Sequence, residues 1–340
     1  MSENVMQVPL FIGGGKITFT EKPLPMPGEG ELLLQVKANA LCGSEKGQFK
    51  EGSKVTPGHE AAGMVIAAGP KTSTSVGTFG VVFLMDFCGL CRSCRQGFTN
   101  QCLNKRADMG FSHDGGYAPF ELVHENIFFP TSSDLSPTEA TLLLDIMGTG
   151  GHALNRAKLV RPDIESILVM GAGPIGLGVL AMAKVLFSKE MPVYITDFIP
   201  YRLQLAEKLG GIPINLTGRP SDKFLEGALS QSADLAIDTS GKTAARQAAL
   251  ETLGPRGVLV CVGHGEELNL KVSPHLISPE RTIMGSEYFA FNELAENLRL
   301  LQLHRAYFNQ IITHRFGVRD IQRAFELFFH GETGKVVIEQ

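Results

Sequence analysis

Ile167-Leu-Val-Met170-Gly171-Ala172-Gly173-Pro174-Ile175-Gly176 is the stretch on which the fold of this chain turns. Four apolar residues of strand type run straight into a G-x-G-x-x-G sequence, and a further apolar run continues to Phe187. Each glycine has its own use at a nucleotide pyrophosphate. Gly171 permits the tight turn, Gly173 lets the phosphates approach the backbone, and Gly176 lets the helix pack closely on the strand. Pro174 and Ile175 open that helix, whose amino terminus faces the phosphates. By length alone 167–187 also qualifies as a membrane span. The glycines and Lys184 break the run, and a buried strand turning into a buried helix explains the same hydrophobicity.

Taken alone the motif is weak, because glycines in a tight turn need no ligand. Its context strengthens it. The next strand pattern, Pro192-Val-Tyr-Ile-Thr196, ends in Asp197, twenty-one residues after Gly176. A carboxylate there accepts hydrogen bonds from the adenosine ribose hydroxyls and repels a 2′-phosphate, so NAD is favoured over NADP. Arg202, on the following helix, either weakens that preference, stacks on adenine or faces solvent.

Around this segment the chain alternates strand and helix. Strands are predicted at Ile167–Met170, Val193–Thr196, Ile212–Asn215, Leu235–Thr239, Val258–Val262 and Thr282–Gly285. Helices are predicted at Ile175–Phe187, Tyr201–Leu209, Lys223–Leu229 and Thr243–Leu253. Six buried-type strands with intervening helices imply an α/β fold with a parallel, doubly wound sheet. The first 140 or so residues differ: short strands (Lys16–Thr20, Glu31–Ala40, Glu60–Ala68, Val81–Met85, Tyr117–Val123) are separated by turns such as Pro23-Leu-Pro-Met-Pro-Gly28. Helices near Leu294–Leu303 and Arg319–Phe328 and a strand at Lys335–Glu339 close the chain.

With 340 residues the chain can form two domains, each with its own core. A net charge of −4 offers no basic field for nucleic acid or an anionic membrane surface. Met1-Ser-Glu-Asn-Val lacks the basic start and apolar core of an export signal, so the cytoplasm is the expected compartment.

Cys88, Cys91, Cys94 and Cys102 fall in the spacing C-x2-C-x2-C-x7-C, in a stretch poor in large apolar residues. Burial cannot order such a segment. Four thiolates converging on one tetrahedral Zn2+ can, and a closed four-sulfur shell makes that metal structural. A pair of disulfides is the alternative, disfavoured in a reducing compartment. Cys261, in an apolar strand, reads as a buried small hydrophobe.

Cys42 and His59 are by themselves poor evidence of a site, since a buried thiol and a core imidazole are common. Together with the cysteine lobe and the glycine turn they resemble the zinc-containing medium-chain dehydrogenases/reductases, which include alcohol, sorbitol and threonine dehydrogenases. The resemblance covers essentially the whole chain. Cys42-Gly-Ser44, Gly58-His59-Glu60, Cys88–Cys102, Gly115-Gly-Tyr-Ala118 and Gly171–Gly176 occur in the family's order.

The resemblance implies a GroES-like β-rich catalytic domain, 1–148 and 287–340, and a Rossmann domain, 149–286. It implies two zinc ions per chain, one structural and one catalytic. Cys42, His59 and Asp145 match the catalytic zinc ligands, and Glu60 matches a carboxylate that ligates the metal or exchanges with water. Three protein ligands leave one position open for a substrate oxygen. A Lewis-acidic zinc then stabilises an alkoxide from which hydride leaves to nicotinamide. Ser44 matches a hydroxyl that passes the alcohol proton on, and Glu45 stands where relatives carry an Asp that orients a ligand. Gly47 replaces a family histidine, which removes one proton exit. His113 and Asp114 read as a polar turn, and Gln48 and Phe49 fall in a stretch that lines the pocket of polyol-oxidising relatives.

The expected activity is NAD-dependent interconversion of a secondary hydroxyl and a ketone on a polyol, sugar or cyclitol, in a homodimer or homotetramer. A simple secondary alcohol or a threonine-type amino alcohol is the alternative substrate. A non-catalytic nucleotide-binding protein keeping only the structural zinc is the alternative of another class, and a zinc-free reductase of conjugated carbonyls is a third.

Overall fold

The computed structural model describes residues 5–131, 134–229 and 231–340; residues 1–4, on which the reading of the amino terminus rests, lie outside it. Six parallel strands form one sheet in the order Ile212–Asn215, Val193–Asp197, Ile167–Met170, Ala233–Asp238, Leu253–Cys261, Thr282–Gly285. Met170 sits in register with Thr196 on one side and Asp238 on the other. Strand order therefore reverses beside Ile167–Met170, and the crevice opens at its carboxyl end, where Gly171 follows.

The helix Pro174–Leu186 packs tightly against that turn, with proline in its first turn and Gly173 as its N-cap residue. Gly171 has φ +101°, in the region that favours glycine. A Cβ on Gly176 would lie 1.9 Å from the Gly171 carbonyl oxygen, so only glycine fits. The 167–187 run is thus a strand and a helix, and among the described residues no helix is long and apolar enough to cross a membrane.

A second, seven-stranded sheet draws on both ends of the chain. The last strand, Lys335–Glu339, pairs antiparallel with Glu31–Ala40, with Val337 opposite Ala40. Glu31–Ala40 pairs in turn with Ala61–Ala68, with Asn39 opposite Ala61. The chain leaves this sheet for the parallel one and returns to complete it.

Several expectations need correction. Lys223–Leu229 is not a helix: a short 3-10 turn at Ser221–Lys223 is followed by turns, with Gly227 at φ +65°. Phe224 and Leu225 are buried there, so the apolar residues that suggested a helix pack without one. The strand expected at Val81–Met85 is two, Phe79–Val82 and Met85–Asp86, and the second pairs with Ala107–Asp108. Strands at Val5–Gly13 and Ile312–Gly317 and the helix Gly150–Val160 were not anticipated.

Candidate active site and metal centres

Cys42 lies just beyond the end of Glu31–Ala40, and His59 and Glu60 lie just before Ala61–Ala68. Antiparallel pairing of these strands sets the three side by side. Gly58 makes the approach possible: at φ +106° a Cβ would meet the Tyr117 nitrogen at 2.7 Å. Asp145 enters from the other side, on the π-helical turn Asp145–Thr149 that leads into Gly150–Val160. Cys42, His59, Glu60 and Asp145 are all buried, and one ligand atom from each falls within 4.8 Å of the others.

The imidazole is oriented. His59 Nδ1 lies 3.2 Å from Glu45 Oε1, which leaves Nε2 facing Asp145 Oδ2 at 3.7 Å. The other oxygen of Glu45 accepts from the Cys42 backbone N–H at 3.2 Å and from the Tyr117 hydroxyl at 2.7 Å. Glu45, longer than the family's aspartate, thus braces both the Cys42 backbone and the imidazole. The Thr149 hydroxyl donates to Asp145 Oδ1 at 3.3 Å. Glu60 Oε1 is paired with the ammonium of Lys335, and its Oε2 has no partner.

This donor set fits a cation. Burial pushes the Cys42 thiol up, with help from Asp145, against His59. Burial would also raise Asp145, but the hydrogen bond and charge of His59 hold its carboxyl below the ordinary range. Sulfur, imidazole and carboxylate in one buried cluster, with an unpartnered carboxylate oxygen beside them, suit the borderline softness of Zn2+.

Ser44 is exposed on the 3-10 turn Gly43–Glu45, next to Cys42. The Phe111 ring stands 5.0 Å from the His59 ring, tilted against it. Gln48 donates from Nε2 to the Gly110 carbonyl at 2.7 Å and keeps Oε1 unpartnered. Phe49 does not line this space: it is buried among Phe11, Phe325 and Phe329. Asp114 accepts from Lys22 and from the Thr56 N–H, as the polar-turn reading of that segment expects.

The second cluster comprises Cys88, Cys91, Cys94 and Cys102. The sulfurs of Cys91 and Cys94 are 3.4 Å apart, those of Cys91 and Cys102 4.0 Å, and all four thiols are free. Backbone N–H groups point at the sulfurs, including Cys88 N–H to Cys102 Sγ at 3.2 Å and Leu103 N–H to Cys91 Sγ at 3.4 Å. The N–H groups of Cys94 and Leu103 bring the Cys91 thiol down to about 6. The Cys94 thiol is instead pushed up to about 12 by burial and then by the Cys91 and Cys102 sulfurs, a crowding of sulfurs that a shared cation would relieve.

At the nucleotide crevice, Asp197 Oδ2 accepts from the Ala172 N–H of the glycine turn at 2.9 Å, and Oδ1 accepts from Phe198 and Ile199. Arg202 stands 3.8 Å from the same carboxylate, and its Nε has no partner. A cavity of about 590 Å3 lies at the carboxyl ends of Leu253–Cys261 and Thr282–Gly285. Cys261, expected to be fully buried, is half-buried and lines it.

Lys335, Tyr117, Thr149 and Phe111 were not anticipated. Lys335 had a readable signal, a lone cation opening the apolar strand Lys335-Val-Val-Ile; the others depend on which loops meet.

Two family models match the chain: an alcohol dehydrogenase GroES-like domain over residues 28–133 and a zinc-binding dehydrogenase domain over 174–302. An uncharacterised zinc-type alcohol dehydrogenase-like protein of Escherichia coli K12 is 27% identical, over 96% of each chain. L-threonine 3-dehydrogenase of Shewanella frigidimarina is 29% identical, over 95% of this chain and 96% of its own. The fold superposes on an Escherichia coli CFT073 alcohol dehydrogenase, solved with NADH, with a TM-score of 0.86 at 23% identity over 99% and 100% of the two chains. Motif order, fold and family models agree: the chain belongs to the zinc-containing medium-chain dehydrogenases/reductases and is an oxidoreductase of that family.

Proposed function

We propose that the protein is an NAD-dependent, zinc-dependent dehydrogenase of a secondary hydroxyl, with a polyol, sugar or cyclitol as substrate. The observation that carries this is the buried cluster of Cys42, His59, Glu60 and Asp145, in which Lys335 occupies one oxygen of Glu60. Cys42, His59 and Asp145 would hold a zinc ion, and a substrate oxygen would complete its shell. A zinc held there supplies Lewis acidity, which lowers the pKa of a bound alcohol.

The chain's own residues do the rest. Glu45 fixes the imidazole so that Nε2 faces the cluster, and its bond to the Cys42 N–H holds the backbone that carries the sulfur. Ser44, exposed beside Cys42, takes the alcohol proton at Oγ and passes it outward; Gly47 offers no imidazole to continue the path. Gly171, Gly173, Pro174, Ile175 and Gly176 cradle the pyrophosphate, and Asp197 accepts from the ribose hydroxyls, which disfavours NADP. The threonine-oxidising relative keeps an amino alcohol in view.

Residues 1–148 and 287–340 make the catalytic domain in this reading, and 149–286 the nucleotide domain. That division follows the two sheets, since all six parallel strands lie within 167–285. The four-cysteine lobe takes the structural zinc.

The test is NAD+ reduction by zinc-loaded protein across polyols, cyclitols, short secondary alcohols and threonine. A hydroxyl substrate is expected to turn over, and Cys42→Ala or Asp145→Ala to lose roughly 10^3-fold in rate. Near-full turnover in either variant would show that the ligands are misassigned.

A further inference from the structure

Between Cys88 and Cys102 only two residues are buried, Thr99 and Asn100, at 8% and 7% exposure. Both are polar, and both spend their side chains on one remote backbone segment. Asn100 Nδ2 donates to the Glu287 carbonyl at 2.7 Å. Thr99 Oγ1 accepts from the Phe291 N–H at 2.7 Å. Phe87, directly before Cys88, adds an apolar hold, its ring 5.4 Å from that of Phe291.

The segment held in this way is the crossover from the last parallel strand back to the first domain. Between the two anchors lies Tyr288, a bulky residue at φ +48°, a backbone conformation that persists only where its surroundings impose it. The anchor Glu287 and Ser286 just before it line the cavity at the carboxyl edge of the parallel sheet, as does Asn100. Asn100 Oδ1 and Ser286 Oγ are both buried without a partner. Asn100 Nδ2 also lies 3.5 Å from His152 Nε2, and His152 Nδ1 lies 2.6 Å from Glu293 Oε1. His152 is on the helix that follows the Asp145 turn. One lobe residue therefore touches the crossover, the cavity and the helix leading from the catalytic cluster.

We propose that Asn100 is a positioning residue for the nicotinamide end of the cofactor cleft, so that the four-cysteine lobe sets coenzyme affinity as well as its own local order. This rests on the cofactor reading above, because the carboxyl edge of a doubly wound sheet is where the nicotinamide would lie. Asn100 acts through Glu287 and the strained Tyr288, and it works by donating a hydrogen bond rather than by filling space. The amide's size alone does not hold the crossover.

Those two roles separate under an isosteric change. Asn100→Asp keeps the volume but puts an acceptor against the Glu287 carbonyl; Thr99→Ser keeps the accepting oxygen, and Thr99→Val removes it. NADH affinity is measured by fluorescence titration of the zinc-loaded protein, with zinc per chain and melting temperature followed in parallel. Wild-type binding tests the cofactor reading by itself, and its absence would overturn that reading and this inference together.

With wild-type binding in hand, Asn100→Asp and Thr99→Val are expected to raise the NADH Kd about tenfold, the worth of one hydrogen bond. Thr99→Ser should stay near wild type, and zinc content should stay at its wild-type value. In turnover the coenzyme KM should rise while kcat moves little. An unchanged Kd in Asn100→Asp would overturn the proposal, whatever Thr99→Val does, and leave the cofactor reading standing. So would an increase seen only in variants that have lost zinc.

Discussion

Lys335 and Glu60 form an ion pair in which neither side chain has any exposure to solvent. They come from opposite ends of the chain, joined through the strand pairing of Lys335–Glu339 with Glu31–Ala40. Burial alone would discharge the lysine, but Glu60, Asp145 and Cys42 face it and hold its pKa above the ordinary value. Lys335 takes one oxygen of Glu60 and leaves Oε2 in the buried cluster, where burial raises the carboxyl's pKa well above the usual value against the pull of the ammonium. Removing one member leaves an uncompensated buried charge, so Lys335→Met should destabilise the protein by about 3–5 kcal/mol in urea unfolding. Combining it with Glu60→Gln should restore most of that loss, and purely additive effects of the two changes would speak against the pair.

Glu121 is a buried acid with no such partner. It faces inward on Phe120–His124 at 1% exposure, and neither oxygen has a hydrogen bond among the described residues. Burial, and secondarily the charge of Asp114, raise its pKa well above the usual 4.5, against a smaller pull from His59. A carboxyl raised in this way binds its proton more tightly when folded. Its own contribution to stability is then greatest below about pH 4.5 and is lost as pH rises through the folded value. Glu121→Gln should remove this slope and stabilise the protein by about 2 kcal/mol at pH 8. Parallel stability–pH curves for variant and wild type between pH 5 and 8 would contradict it.

Tyr117 backs the carboxylate that braces two candidate zinc ligands. Its burial, and then the adjacent Glu45 charge, keep the phenol neutral and donating. Tyr117→Phe deletes that donor at nearly constant volume, so zinc from the Cys42 cluster should pass to a chelator roughly 10-fold faster. Glu45→Ala should accelerate the loss further, while zinc in the four-cysteine lobe should leave at its usual rate in both variants.

Coenzyme choice is expected to reside in Asp197. Its carboxylate already accepts three backbone N–H groups, and Arg202 is adjacent. Asp197→Asn keeps an acceptor but removes the negative charge, leaving Arg202 free to meet a 2′-phosphate. The ratio of kcat/KM for NADP to that for NAD should rise at least about tenfold, or 1.4 kcal/mol. An unmoved ratio would place the discrimination elsewhere.

How much of this could be read from residues alone follows from the range of the forces involved. The strand Ile167–Met170, the turn at Gly171 and the helix after it depend on neighbours in sequence, and they lie where the pattern put them. The cysteine lobe was legible because its spacing encodes the site. Cys42, His59 and Asp145 were reached only through family resemblance, since spacing says nothing about which strand ends meet. Tyr117 and Phe111 were invisible for the same reason. Lys223–Leu229 failed differently: an apolar pattern of helical type was overridden by Gly227 and by burial of Phe224 and Leu225 in turns. Phe49 was assigned to a pocket because its stretch lines one in relatives, whereas an aromatic cluster with Phe11 and Phe325 claims it.

The central claim is that Cys42, His59 and Asp145 hold an ion that the four-cysteine lobe does not account for. Zinc stoichiometry of the purified protein, wild type against Cys42→Ser, tests it most directly. Two zinc ions per chain falling to one, with NAD+ reduction lost in step, is the predicted result. One ion per chain in both proteins would contradict the account and leave a nucleotide-binding protein with a purely structural metal.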